Sequence, residues 1–229
     1  AGTGGLHSVV LDNGGNVVAS DSVATIARDV AVKGAAAYVA AGPAGLVAYD
    51  FSDPIDLARL GSFTAFVPTL ATQRKYQNFR QHPAMWTYWF SDAVAVEIQG
   101  NYAFVVDRTG QAVTGYDFRG QTVAINPPTE GWVGVIDIAN PAAMKRGTMI
   151  MTMAELTDLD LRGNHLFVAC LEGLGVYNVG NALMPKLLGA LYTDEPIASV
   201  QVAHNTALAT TPEGYRLIDV SNPRRPVDG

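Results

Sequence analysis

Apolar and polar residues alternate along this chain in short runs, and the same succession of runs returns four times. The first run of each succession is Ala27–Gly34, Ala93–Gly100, Leu156–Gly163 and Ile197–His204. A second follows at Ala37–Ala40, Tyr102–Val106, Leu166–Cys170 and Ala207–Thr210, and a third at Gly45–Asp50, Trp132–Asp137, Leu174–Asn178 and Tyr215–Asp219. A turn then closes the unit: Ser52-Asp53-Pro54, Ala139-Asn140-Pro141, Gly180-Asn181 with Pro185 displaced, and Ser221-Asn222-Pro223. A fourth run is visible at Leu57–Phe63 and Lys186–Leu191. Alternation with period two in Val-, Tyr- and Phe-rich runs predicts strands. In the first unit they fall near 28–33, 36–41, 45–50 and 57–63. Gly-Asn at 100–101 and 163–164 suits a tight hairpin that needs positive φ, and His204 holds that place in the fourth unit. The Pro-containing turn ends the third strand, because Pro cannot donate to a central ladder.

The last period, from Gly163 to His204, is 41 residues. Four antiparallel strands in about 40–45 residues make the blade of a β-propeller. The expected fold is therefore all-β: one propeller domain over residues 1–229 with four visible blades. The fourth unit reaches Val227-Asp228-Gly229, where its outer strand should begin, and Val17–Ser20 aligns with Leu187–Ala190 in an outer-strand position. Residues 16–22 are thus expected to pair onto the last blade and close a compact four-bladed ring, removing two sheet edges. Part of a larger propeller is the second architecture this pattern allows.

The phrase Arg28-Asp29-Val30-Ala31-Val32, then Tyr38-Val39-Ala40, Gly45–Asp50 and Ser52-Asp53-Pro54, resembles the LVIVD repeat of bacterial and archaeal surface proteins. The resemblance covers roughly 16–64, 93–150 and 155–229 and is sharpest in the first unit. It implies a β-propeller and an exported setting, and it brings no catalytic residue with it.

Composition narrows the function classes. Hydrophobic residues make up 48% and charged ones 16%, which suits a globule built of buried sheet. A net charge of −6 argues against a nucleic-acid partner. No apolar run approaches the ~18–20 residues that span a bilayer. Cys170, the lone cysteine, lies in a predicted strand and is read as a buried thiol; it makes no disulfide within the chain.

Measured against 41 residues, two spacings are long: 66 from Gly34 to Gly100 and 63 from Gly100 to Gly163. The excess falls at about 65–91, between blades one and two, and at about 108–131, between the second and third strands of blade two. In an antiparallel blade these two connections emerge on the same rim, and insertions sharing one face often mark a binding surface. The first insertion is rich in aromatic and basic residues and holds no Asp or Glu. Its candidate contact residues are Tyr76, Arg80, His82, Trp86, Tyr88 and Trp89, joined from the second insertion by Tyr116 and Arg119. Aromatic rings beside Arg are the composition of contact hot spots. The same rings also serve to pack an insertion onto its propeller. Truncating Trp86 or Trp89 is expected to weaken association without unfolding the blades.

Candidate chemistry is sparse. The four histidines are scattered, with no metal-ligand spacing, and no metal or cofactor is expected. Asp107, Asp117 and Glu130 could gather on the insertion rim, but lack the density of a Ca²⁺ loop. Asp158 and Asp160 are read as turned to opposite faces of their strand and not as a catalytic pair. Arg28, Asp29, Asp92 and Asp158 stand near the beginnings of the inner strands and are expected to line the channel mouth.

No catalytic residue is assigned. The expected function is a non-enzymatic, extracellular or cell-surface binding and assembly module, its partner a protein or a second copy of itself. Carbohydrate is the other ligand class such a surface suits. The alternative is an enzyme or small-ligand binder using a pocket at the channel mouth beneath the insertions.

Overall fold

A computed structural model describes residues 5–66, 87–108, 111–116, 122–123, 131–152 and 154–229, with backbone alone at 87–89, 111–116 and 122–123. Four four-stranded antiparallel sheets follow the four sequence units. Blade 1 comprises Asp29–Lys33, Ala36–Ala40, Leu46–Asp50 and Ala58–Phe63. Blade 2 comprises Ala93–Gln99, Tyr102–Asp107, Trp132–Asp137 and Lys145–Met151. Blade 3 comprises Leu156–Arg162, His165–Cys170, Gly173–Asn178 and Lys186–Tyr192. Blade 4 comprises Ser199–Ala203, Thr206–Thr211, Gly214–Asp219 and Val227–Asp228. The first strands of successive blades lie side by side. The fold is a β-propeller arrangement of blades, as the repeat predicts.

The turns follow from local chemistry. The side chain closing each third strand accepts the backbone N–H two residues on: Asp50 from Ser52, Asp137 from Ala139, Asn178 from Gly180 and Asp219 from Ser221, at 2.8–3.0 Å. This is an Asx turn, which an Asn satisfies as well as an Asp. The hairpin between first and second strands takes φ of 60°, 55° and 57° at Gly34, Gly100 and Gly163, and His204 adopts φ 55° in blade 4.

Each blade offers a forward face to its successor and a back face to its predecessor. Among the described residues three apolar clusters fill the spaces between blades: Tyr38, Ala48, Val96 and Val105 between blades 1 and 2; Phe104, Val135, Leu159 and Val168 between 2 and 3; Phe167, Val176, Val200 and Ala209 between 3 and 4. A fourth packs Val39, Val47 and Tyr49 on the back of blade 1 against Leu6 and Val23.

That fourth cluster corrects one expectation. Val17–Val23 pairs with Leu6–Leu11 in a separate two-stranded sheet and does not join the last blade. Blade 4 takes its own outer strand, the short Val227–Asp228. The alignment of Val17–Ser20 with an outer strand holds in kind, but its partner strand lies immediately before it in sequence. Hairpin pairing with a neighbour costs less loop-closure entropy than pairing across the whole chain.

Candidate functional site

The inner strands carry a device that sequence reading did not resolve. On blade 1, Asp29 accepts the backbone N–H of Val96 on blade 2 through Oδ2 at 2.8 Å, and its own neighbour Val30 N–H through Oδ1 at 2.8 Å. On blade 3, Asp158 accepts Val200 N–H at 2.8 Å, and Asp160 accepts Val202 N–H. Arg162 Nε donates to Val202 O beside the Asp160 carboxylate. Between blades 2 and 3 an amide does the joining, with Gln99 Nε2 donating to Gly163 O at 2.6 Å. These forward-facing polar groups clasp each inner strand to the next. Asp158 and Asp160 therefore share a face, as residues two apart on a strand must, and the expectation of opposite faces was wrong.

Burial loads these clasps electrostatically. Glu97, half-buried between the Asp29 and Asp160 positions, is pushed up to about 7, first by desolvation and then by those two carboxylates. Asp158 is pushed up to about 6, mainly by desolvation, against the Val200 hydrogen bond that pulls it down.

The expected channel-mouth group divides. Arg28 and Asp92 come together, with a guanidinium nitrogen 3.3 Å from Asp92 Oδ1, and Arg108 Nε stands 3.9 Å from Asp92 Oδ2. Asp29 and Asp158 are engaged in the clasps instead. Behind the Arg28–Asp92–Arg108 bridge lies Asp107, fully buried. It accepts from Ser91 N–H, Ser91 Oγ–H and Asp92 N–H, the last at 2.7 Å. Desolvation pushes its carboxyl up to about 6 despite these bonds. Sequence reading had placed Asp107 with Asp117 and Glu130 on the rim; the latter two lie outside the described residues.

The two insertions meet. Thr87–Trp89 pairs with Ala65–Phe66 on one side and with Gln111–Tyr116 on the other, where Tyr88 opposes Ala112 and Trp89 opposes Gln111; Thr122–Val123 completes the sheet. Tyr76, Arg80, His82, Trp86 and Arg119 lie outside the described residues, and Tyr88, Trp89 and Tyr116 are placed by their backbone alone. The root of the first insertion belongs to the core. Phe66 meets Phe63 and Trp132 edge to face, with centroids 4.9 and 5.3 Å apart, and Phe90 lies 4.6 Å from Trp132. Gly45, at φ 71°, leaves the space this cluster needs, since a Cβ there would stand 2.7 Å from Phe90 Cδ2.

Among the described residues, apolar side chains are exposed at both ends of the blade series. Tyr38, Phe104 and Phe167, on the forward faces of blades 1 to 3, are at most 3% exposed; Leu208 in the same place on blade 4 is 41% exposed. Ala48, Val135 and Val176 are fully buried, and their counterpart Leu217 is 48% exposed. At the other end, Val96, Leu159 and Val200 are buried on the back faces of blades 2 to 4, while Val30 is 46% exposed and Val32 59%. Beyond them Val9 and Leu11 of the N-terminal hairpin are more than half exposed.

The family comparison bears on the unit just described. Residues 24–65 and 91–113 match the LVIVD repeat. The chain carries LVIVD repeats. No curated protein matches it. Among solved structures it is similar to the computationally designed Ika4 protein, at 11% identity and TM-score 0.51 over 88% of this chain and 95% of that one. It is similar also to Kluyveromyces lactis Hsv2, at 9% identity and TM-score 0.53 over 93% of this chain and 55% of Hsv2, so that it spans about half of Hsv2's length. At such identities the likeness concerns the fold.

Within the LVIVD phrase, the Asp of Arg28-Asp29-Val30 is the clasp residue, and the signal for it was present: Asp158 stands at the same place in the third unit and Ser199 in the fourth. Ser199 Oγ is 2.7 Å from Thr210 Oγ1 on its own blade, so the forward clasp ends with blade 4. Glu97 and Asp160, which the sequence reading left out of the mouth, occupy the next forward-facing place along the same strands.

Proposed function

We propose that this chain is a non-catalytic assembly module in which copies associate head to tail, working at the cell surface or outside the cell. The observation that carries the reading is the forward face of blade 4. Leu208, Leu217 and Tyr215 are exposed there, and the equivalents of both leucines are core in every preceding blade. Burying two such leucines and a tyrosine contributes several kcal/mol to association. The opposite end offers Val9 and Leu11 as an apolar counterpart. Unlike faces at two ends give a heterologous contact, which builds a ring when the rotation closes and a filament when it does not.

Use of the carboxylates supports the non-catalytic reading. Asp29, Asp158 and Asp160 hold backbone N–H groups, Asp107 holds the Ser91–Asp92 backbone, and Asp92 bridges two arginines. The surface setting rests on the resemblance to the LVIVD repeat. The joined insertions supply a second contact platform in this reading, with the aromatic residues Tyr76, Trp86, Tyr88 and Trp89 as its anchors; Trp89→Ala then weakens partner binding and leaves the melting temperature unchanged.

Sedimentation velocity tests the main reading. The wild type should associate with rising concentration, and Leu217→Glu and Leu11→Glu should each be monomeric. Mixed together, the two variants should form a dimer, since each keeps one working face. A wild type that stays monomeric, or a mixture that does not pair, overturns the proposal.

A further inference from the structure

The turns that follow the third strands stand on the rim opposite the insertions, because in an antiparallel blade the connection after strand three leaves from the end opposite the connection after strand two. Their tips are held alike. Asn140, Asn181 and Asn222 each accept the backbone N–H two residues on, from Ala142, Leu183 and Arg224, at 3.0–3.1 Å. Asp53 does the same for Ile55 in blade 1. Each tip also docks on the outer strand of the blade before it. A Cβ on Gly61 would stand 2.6 Å from Pro141 O, one on Gly147 3.1 Å from Leu183 Cδ2, and one on Gly189 2.6 Å from the Arg224 carbonyl. The tips of blades 2 to 4 and the outer strands between them therefore form one ridge.

The ridge is basic. Residues 139–146, 180–187 and 221–227 hold Lys145, Arg146, Lys186, Arg224 and Arg225 and neither Asp nor Glu. Lys145, Lys186, Arg224 and Arg225 are exposed and make no ion pair with any described residue. The acids that end the third strands of blades 2 and 4, Asp137 and Asp219, hold the N–H groups of Ala139 and Ser221. In blade 1 the tip carries Asp53 and Asp56 instead, so the basic run starts at blade 2. The chain as a whole is acidic, at −6, and Glu155, Glu172, Asp194, Glu195 and Glu213 lie in connections on the insertion rim. Charge is thus polarised from rim to rim. Between the cations the tip of blade 3 presents two exposed apolar side chains, Leu183 and Met184, the latter 63% exposed. A soluble polyanion would neutralise the cations and leave both in water. The headgroup region of an anionic bilayer accommodates both kinds of group, since lipid phosphates meet the cations and the acyl boundary takes the apolar side chains.

We propose that this ridge docks the protein on the surface of an anionic phospholipid bilayer, with Leu183 and Met184 entering the headgroup region and Lys145, Lys186, Arg224 and Arg225 facing lipid phosphates. The insertion rim then points away from the membrane. A strand such as Gly214–Asp219, of 6 residues, separates the rims by about 20 Å. That exceeds the Debye length of about 10 Å at 0.1 M salt, so the acids of the far rim oppose docking only weakly. The contact uses a rim, whereas head-to-tail association uses the faces of the end blades. The inference therefore goes beyond that association and rests on different residues.

Co-sedimentation with extruded vesicles tests this. Vesicles of equal parts phosphatidylglycerol and phosphatidylcholine should bind the chain, and vesicles of phosphatidylcholine alone should bind it about tenfold less or weaker still. Replacing both Arg224→Glu and Arg225→Glu should lower binding about tenfold or more. Both side chains are exposed, so the melting temperature should not change. Glu213→Lys, on the far rim, should change binding by less than about twofold. Met184→Trp should add fluorescence that shifts to the blue on the anionic vesicles and not on the neutral ones. Wild type and Leu217→Glu should both bind, so the result does not depend on head-to-tail association. Dextran sulfate serves as the soluble polyanion. The proposal is overturned by equal binding to the two kinds of vesicle or to neither, or by binding indifferent to the arginine substitutions. An effect of Glu213→Lys as large as theirs, or binding to dextran sulfate without a blue shift on vesicles, overturns it as well.

Discussion

Asp158 on blade 3 accepts the backbone N–H of Val200 on blade 4 at 2.8 Å, and Asp29 on blade 1 does the same for Val96 on blade 2. At these two interfaces an acidic side chain thus satisfies a main-chain donor of the neighbouring sheet, while Gln99 joins blades 2 and 3. Asp158→Ala strands that donor between blades, which costs about 1–3 kcal/mol. Asp158→Asn keeps an accepting oxygen and removes a charge that burial disfavours, so it should match or exceed the wild type at pH 8. Urea unfolding of both variants checks this; equal losses from Ala and Asn would refute the clasp.

The buried acids set a pH dependence. Glu97 titrates at about 7 and Asp107 and Asp158 at about 6, against ordinary values of 4.5 and 3.8. A carboxyl whose folded pKa is raised favours the folded state while protonated; its contribution is complete below the unfolded pKa and lost as pH rises through the folded one. Asp12, Asp21, Asp50 and Asp219 are lowered by hydrogen bonds and act in reverse, losing their contribution only as pH falls below about 4. Stability should therefore peak near pH 4 and decline from there to about pH 7. Glu97→Gln should flatten that decline and add about 1 kcal/mol at pH 8, a figure discounted for the half-exposed site. Melting curves across pH 4–8 decide it.

His204 occupies φ 55° at a hairpin position where the other three units use Gly. Left-handed backbone costs a non-glycine residue about 1–2 kcal/mol, and the added freedom of an unfolded Gly returns about 0.5–1 of that. His204→Gly should raise stability by about 0.5–1 kcal/mol, read as a higher melting temperature. A lower one would show that the imidazole contributes contacts outweighing the strain.

Phe66 is fully buried among Phe63, Phe90 and Trp132. Phe66→Ala should cost about 3–5 kcal/mol. Thermal unfolding monitored through tryptophan fluorescence measures the loss, and a cost below 1 kcal/mol would place the insertion root outside the core.

Strand positions and blade boundaries were legible because alternation and the turn residues repeat: 28–33 was read for Asp29–Lys33, and 57–63 for Ala58–Phe63. The meeting of the two insertions was legible too, because an antiparallel blade puts both connections on one rim. The N-terminal hairpin was not. Its turn, Asp12-Asn13-Gly14-Gly15-Asn16, lacks the Pro and the length of the others, so the strand at Leu6–Leu11 went unread and Val17–Val23 was sent to the wrong partner. At the mouth, Arg28 and Asp92 could be grouped by strand position. That Asp29 and Asp158 would spend their carboxylates on backbone amides depends on the spacing between sheets, which no single repeat encodes.

Because apolar packing lies between blades, each sheet owes its order to the sheets beside it. The chain behaves as a row of nearest-neighbour couplings, with blades 2 and 3 sandwiched on both faces and blade 4 held on one. In such a row local opening begins at the termini and moves inward, and the free energy of opening rises with each coupling that must be broken. Whatever caps blade 4 adds a coupling at that end, and so slows fraying across sheets it never touches.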